Sequence, residues 1–158
     1  MYYSTDYSSP LGKMLIVSDG EAICGLWFYG QKYFKSTIDE NMVEMPDLTI
    51  FKKVVKWLDD YFNGLNPEID FKLNPQGSEF RKNVWKILTE IPYGKTMTYG
   101  EIASLLSPTM SAQAVGGAVG HNPISILIPC HRVLGANGKL TGYAGGIERK
   151  IKLLELER

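Results

Sequence analysis

At 158 residues, 44% hydrophobic and 22% charged, the chain has the size and composition of one ordinary globular domain or two small ones. No apolar stretch nears the roughly 18–20 residues of a membrane span, MYYSTDYSSP has neither the basic start nor the apolar run of a signal peptide, and two cysteines cannot make a disulfide framework, so a reduced, cytoplasmic protein with no membrane partner is expected. Net charge is zero, yet residues 1–75 carry 7 Lys and Arg against 11 Asp and Glu while residues 76–158 carry 10 against 6, which points to two units and directs any polyanion to the second.

The first thirty residues read as antiparallel sheet. Two β-rich runs, Met14–Val17 and Ile23–Phe28, flank Asp19-Gly20, a hairpin signal. Cys24 lies among Ile23, Leu26 and Trp27 and reads as a core thiol. Residues 31–48 read as polar and irregular. TIFKKVVKWLDDYFNG then places Ile50, Phe51, Val54, Val55, Leu58, Tyr61 and Phe62 on one helical stripe, with Gly64 as the stop. NPEIDFKLNPQG, rich in Pro, Asn and Gly, reads as the linker, giving an N-terminal domain over 1–75 and a C-terminal one over 76–158.

The second half reads as mostly helical. SEFRKNVWKILTEIPYG puts Phe80, Val84, Trp85, Leu88 and Ile91 on one face, capped by Ser78 and ended at Pro92-Tyr93-Gly94. Thr98-Tyr99-Gly100-Glu101 fits a capping box ahead of Ile102, Ala103, Leu105 and Leu106. Ser107-Pro108 stops that helix, and Ser111 can cap the next, AQAVGGAVG. Two short helices joined by a tight turn outline a helix-turn-helix. Between Ala112 and Gly120 every side chain except Gln113 is small or aliphatic. Gly116 and Gly117 each cost about 1 kcal/mol against Ala. Two explanations stand: tight packing on a neighbouring helix, or close approach to a nucleic-acid groove. One polar side chain is too few for base-specific reading, so any docking there is non-specific.

HNPISILIPCHRV carries the candidate chemistry. Asn122-Pro123 signals a turn, and Pro129 prevents an ordinary helix or central strand from running through Cys130. A thiol attacks as its thiolate, and a base lowers the barrier to forming it. His131 is the adjacent base, but neighbouring residues rarely face each other, so a turn or a bridging water is needed. Glu155 and Glu157 are candidates to orient the imidazole. By itself Cys130 reads as a packing residue; taken with Pro129, His131 and Arg132, the packing and nucleophilic readings stand even. No Cys-x-x-Cys or His-x-x-x-His spacing announces a metal site, and no metal is expected.

AVGGAVGHNPISILIPCHRV, with IPYGKTMTYGEIA upstream and TGYAGG downstream, resembles the O6-alkylguanine-DNA alkyltransferases, closely over residues 75–158 and more loosely before them. The resemblance implies an α+β protein: a small N-terminal sheet-plus-helix unit, ribonuclease H-like in that family, and a mostly helical C-terminal domain with the helix-turn-helix. It implies single-use repair of double-stranded DNA containing alkylated guanine, reached through the minor groove by a monomer without cofactors; O4-alkylthymine is a further candidate substrate. Carried over residue by residue, Cys130 takes the alkyl group, His131 takes the thiol proton through a water, Glu157 orients His131, and Asn122 braces the turn. Tyr99 crowds the target phosphate, and Tyr143, Ala144, Val119 and Val133 shape the base pocket, with the Cys130 and Val133 carbonyls receiving the guanine amino group. Ala112, Gln113, Ala114, Gly116, Gly117, His121 and Arg132 form the DNA face.

This sequence departs from that family in three places. Gln113 stands where an arginine usually fills the gap left by the extruded base, His121 replaces a second basic residue, and Ala144 replaces a serine seen in some members. The first two remove positive charge from the DNA face, so weaker binding and flipping are expected. Three alternatives compete: an alkyltransferase-like protein that recognises damage without repair, which usually has tryptophan in place of Cys130; a Cys-His hydrolase, which would turn over; and a helix-turn-helix regulator, which an aliphatic recognition helix disfavours.

Overall fold

β1 (Tyr2–Ser9), β2 (Gly12–Ser18) and β3 (Ala22–Phe28) form an antiparallel meander, with Tyr7 opposite Met14 and Met14 opposite Phe28. The computed structural model describes residues 1–38 and 41–158. The hairpin read at Asp19-Gly20 is present: the Asp19 carboxylate accepts from the amides of Glu21 and Ala22, at 2.9 Å each, and Gly20 takes φ +103°. β4 (Met42–Glu44) pairs parallel with β1, and β5 (Lys72–Leu73) parallel with β3, giving the order β4-β1-β2-β3-β5.

These two edge strands correct the sequence reading. β4 falls in the stretch expected to be irregular, whose residues 39–40 lie outside the described residues. β5 falls in the expected linker. Both are too short, at 3 and 2 residues, to carry an alternating pattern.

β2 is buried on both faces because each face has its own cover. Leu15 and Val17 pack with Cys24, Trp27 and Ile38, and Phe34 closes over them. Cys24 is therefore a core thiol, pushed up to about 11 chiefly by burial. Gly25 is required there: a Cβ would sit 2.1 Å from the Trp27 ring. The opposite face, with Tyr7 and Met14, receives α1 (Thr49–Phe62), and Tyr7 Oη donates to Asp59 at 2.7 Å. Trp57, absent from the predicted stripe, is buried in α1, while Val55 and Phe62 are half-buried.

The described chain divides into two compact units, residues 1–76 with 123–125, and residues 77–122 with 126–158. The second unit opens with α2 (Glu79–Thr89), whose N-cap Ser78 accepts from the Arg81 amide. β6 (Met97–Thr98) leads into α3 (Tyr99–Leu106), where the Thr98–Glu101 capping box is complete. Leu105, part of the apolar pattern, is exposed. α4 (Ala112–Gly120) is capped by Ser111 and packs on α3 and α2, and Trp85 Nε1 donates to the Ala118 carbonyl at 2.8 Å. β7 (Val133–Leu134) pairs parallel with β6, and α5 (Ile147–Leu156) completes the unit. The whole is α+β with a helical second half. Among the described residues no helix is long and apolar enough to cross a membrane.

Candidate active site

Cys130 opens a single 3-10 turn, Cys130–Arg132, directly after Pro129. The turn is tied at both ends. The Cys130 amide donates to the Ile128 carbonyl at 2.8 Å, and the Arg132 amide to Pro129 at 3.0 Å. Asn122 Nδ2 also donates to the Ile128 carbonyl, at 2.8 Å. Four residues before the thiol, Ile126 is buried with φ +68°, a conformation that a β-branched residue rarely takes. The turn runs straight into β7, whose register sets Val133 opposite Met97 and Leu134 opposite Thr98. That pairing brings the start of α3, and with it Tyr99, to the same end of the unit as Cys130.

The Cys130 side chain is almost wholly buried, and burial pushes its thiol pKa up. Four contributions oppose that push, in descending order: the Asn122 side chain, the positive charge of Lys150, the Tyr143 hydroxyl and the backbone of Cys130 itself. In a 3-10 turn successive side chains point about 120° apart, so Cys130 and His131 do not face each other.

His131 is fully buried. Its Nε2 lies 2.7 Å from Glu157 Oε2. A carboxylate only accepts, so Nε2 carries the hydrogen and Nδ1 is the ring's basic site. Burial lowers the His131 pKa and outweighs the opposing pull of Glu157, which keeps the ring neutral. Glu157, just past the end of α5, is fixed in turn. Arg132 Nε donates to Oε1 at 2.7 Å, Nη2 to Oε2 at 3.0 Å, and the Gly94 amide to Oε1 at 3.3 Å. The remaining Arg132 nitrogen, Nη1, donates to the Ile91 carbonyl at 2.7 Å. Each nitrogen of the Arg132 guanidinium thus makes a hydrogen bond inside the unit, which clamps Glu157 to the end of α2.

Around this relay stand the other predicted residues. Tyr99 is half-buried, and its hydroxyl accepts from Thr141 Oγ1 at 3.2 Å, which ties the start of α3 to the loop before Tyr143. Tyr143 and Ala144 are half-buried; Val133 and Val119 are buried. The Cys130 carbonyl accepts the Val133 amide.

α4 turns Val115, Ala118 and Val119 inward and leaves Ala112, Gln113, Ala114 and Gly117 exposed. A Cβ at Gly117 would meet nothing within 4 Å, and one at Gly116 only the Tyr99 ring at 3.9 Å. Packing inside the protein therefore does not require either glycine. His121 caps the helix, its Nδ1 donating to the Gly117 carbonyl at 2.7 Å.

Sequence reasoning missed Lys150, Gly94, Ile91 and Thr141. Lys150 had a legible signal: with Leu153 and Glu157 it forms an i, i+3, i+7 stripe, and all three are buried.

The family described as 6-O-methylguanine DNA methyltransferase, DNA binding domain, matches residues 79–158, and its ribonuclease-like domain matches residues 1–75. The chain is 44% identical over 162 residues to the methylated-DNA–protein-cysteine methyltransferase of Methanosarcina acetivorans, covering 99% of this chain and 98% of that one. It is likewise similar to the crystal structure of Mycobacterium tuberculosis O6-methylguanine methyltransferase, at 44% identity and a TM-score of 0.88 over 99% of this chain and 93% of that one. The M. tuberculosis protein in complex with DNA matches with 44% identity and a TM-score of 0.86, over 99% of this chain and 91% of that chain. This chain belongs to the 6-O-methylguanine DNA methyltransferase family.

Proposed function

We propose that this protein repairs double-stranded DNA by moving an alkyl group from O6 of guanine to Sγ of Cys130, once per molecule. The observation that carries the reading is the buried Cys130 on a braced turn beside a neutral His131 held by Glu157. His131 Nδ1 takes the thiol proton through a water. The thiolate attacks the alkyl carbon in line, the bond from that carbon to O6 breaks, and its electron pair stays on guanine, which regains a proton. The thioether on Cys130 has no route back, so the protein is spent. The reaction uses no cofactor.

A thiol this deeply placed cannot reach O6 inside a base stack, so the nucleotide is rotated out. α4, smooth and exposed at Ala112, Ala114 and Gly117, suits the minor groove, where little sequence is read. Gln113 follows the departing base into the gap, His121 flanks it, and Tyr99 crowds the phosphate. Tyr143 and Ala144 wall the pocket, with Val119 behind, and the Cys130 and Val133 carbonyls receive the guanine amino group. Residues 76–158 do this work and residues 1–75 support them, in a cytoplasmic monomer. Recognition of damage without repair is not favoured, because the nucleophile and its relay are both present.

Cys130→Ala tests the reading. With a duplex labelled in its O6-methyl group, the variant is expected to bind the DNA and to take up no label. Label on the Cys130→Ala protein would overturn the assignment.

A further inference from the structure

Lys150 has no part in the chemistry above, yet its position is hard to explain otherwise. It lies on α5 with 0% of its surface exposed, and Nζ has no hydrogen-bond partner among the described residues. An ammonium removed from water needs a counter-charge close by. α5 packs on the Cys130–Arg132 turn, and Lys150 lies within electrostatic reach of Cys130 and His131. His131 offers no negative charge, Tyr143 on the adjoining loop is turned to the sulfur, and Glu157 is taken up by His131 and Arg132. Cys130 is the remaining group that can become an anion there.

We propose that Lys150 is the buried counter-charge of the Cys130 thiolate: when His131 takes the thiol proton, Lys150 stabilises the negative sulfur until transfer. The proposal rests on Cys130 being the alkyl acceptor. Without Lys150, burial acts on the thiol less opposed, and the thiolate forms only at higher pH.

Carboxamidomethylation of Cys130 by iodoacetamide, mapped by peptide mass across pH, reads that shift. In Lys150→Met the midpoint of the pH–rate profile moves up by about one unit or more, and the rate at pH 7 falls about tenfold or more. Lys150→Arg, which keeps the charge, leaves the midpoint near the wild-type value. An unmoved midpoint in folded Lys150→Met, or one that moves as far in Lys150→Arg, overturns the proposal. Because iodoacetamide replaces DNA in this test, a shifted midpoint beside failed transfer from methylated DNA would reject the repair reading and leave the pair standing.

Discussion

His131 Nε2 and Glu157 Oε2 stand 2.7 Å apart, with 0% and 1% of their side chains exposed. This contact decides which nitrogen can act as base, and it also joins the last ordered turn of the chain to the residue beside the nucleophile. Glu157→Gln keeps the shape but can present an amide N–H to the ring, and it leaves the Arg132 clamp without its counter-charge. Single-turnover transfer from methylated duplex should fall about 100-fold, the low end of what a positioned base contributes. An unchanged rate would remove Glu157 from the relay.

The same burial makes stability depend on pH. His131 is held neutral when folded and titrates near 6.5 when unfolded. Below that value the unfolded chain binds the extra proton and the folded one resists it, so this contribution is full above about pH 6.5 and is lost as pH falls toward the lowered folded value. Thermal melting from pH 8 to pH 5 should show the loss beginning near 6.5. His131→Asn should show a weaker slope there; an equal slope would place its cause elsewhere.

Gly117 separates stability from binding. Nothing lies within 4 Å of a Cβ built there. Gly117→Ala should therefore raise the stability of the free protein by up to about 1 kcal/mol, the helix-propensity difference. It should also weaken DNA binding several-fold by holding the backbone off the groove. A stabilised variant with unchanged affinity would mean that this face does not meet DNA.

Gln113 is exposed on the same face. Gln113→Arg adds a charge and a longer wedge, so affinity for duplex DNA should rise, with a salt dependence steeper by about one in log–log slope. Transfer should become faster as well. Identical affinity and rate would show that the glutamine is no handicap.

Local signals were legible wherever a short-range rule acts. The Asp19-Gly20 turn, the Ser78 and Ser111 caps and the Thr98–Glu101 capping box all stand in the structure as read. The readings of Cys130 as nucleophile, His131 as base and Glu157 as its orienting group came from the residues and the family resemblance together, and the His131–Glu157 contact is present. What was hidden depends on long-range pairing. β5 is two residues whose strand character comes from pairing with β3. The resemblance sets Arg132 on the DNA face; only the fold reveals its hydrogen bonds to Glu157 and Ile91. Lys150 lies on a legible i, i+3, i+7 stripe with Leu153 and Glu157, but its type argues for the surface, since lysine is almost never fully buried.

The central claim is that Cys130 itself receives the alkyl group from DNA. The most direct test incubates the protein with an excess of duplex carrying one O6-methylguanine, then records intact mass and maps the modified peptide. The account predicts the gain of a single methyl on Cys130, ending at one equivalent, with guanine restored in the DNA. Tight binding of the damaged duplex with no change in mass would contradict it and leave a protein that recognises the lesion without removing it.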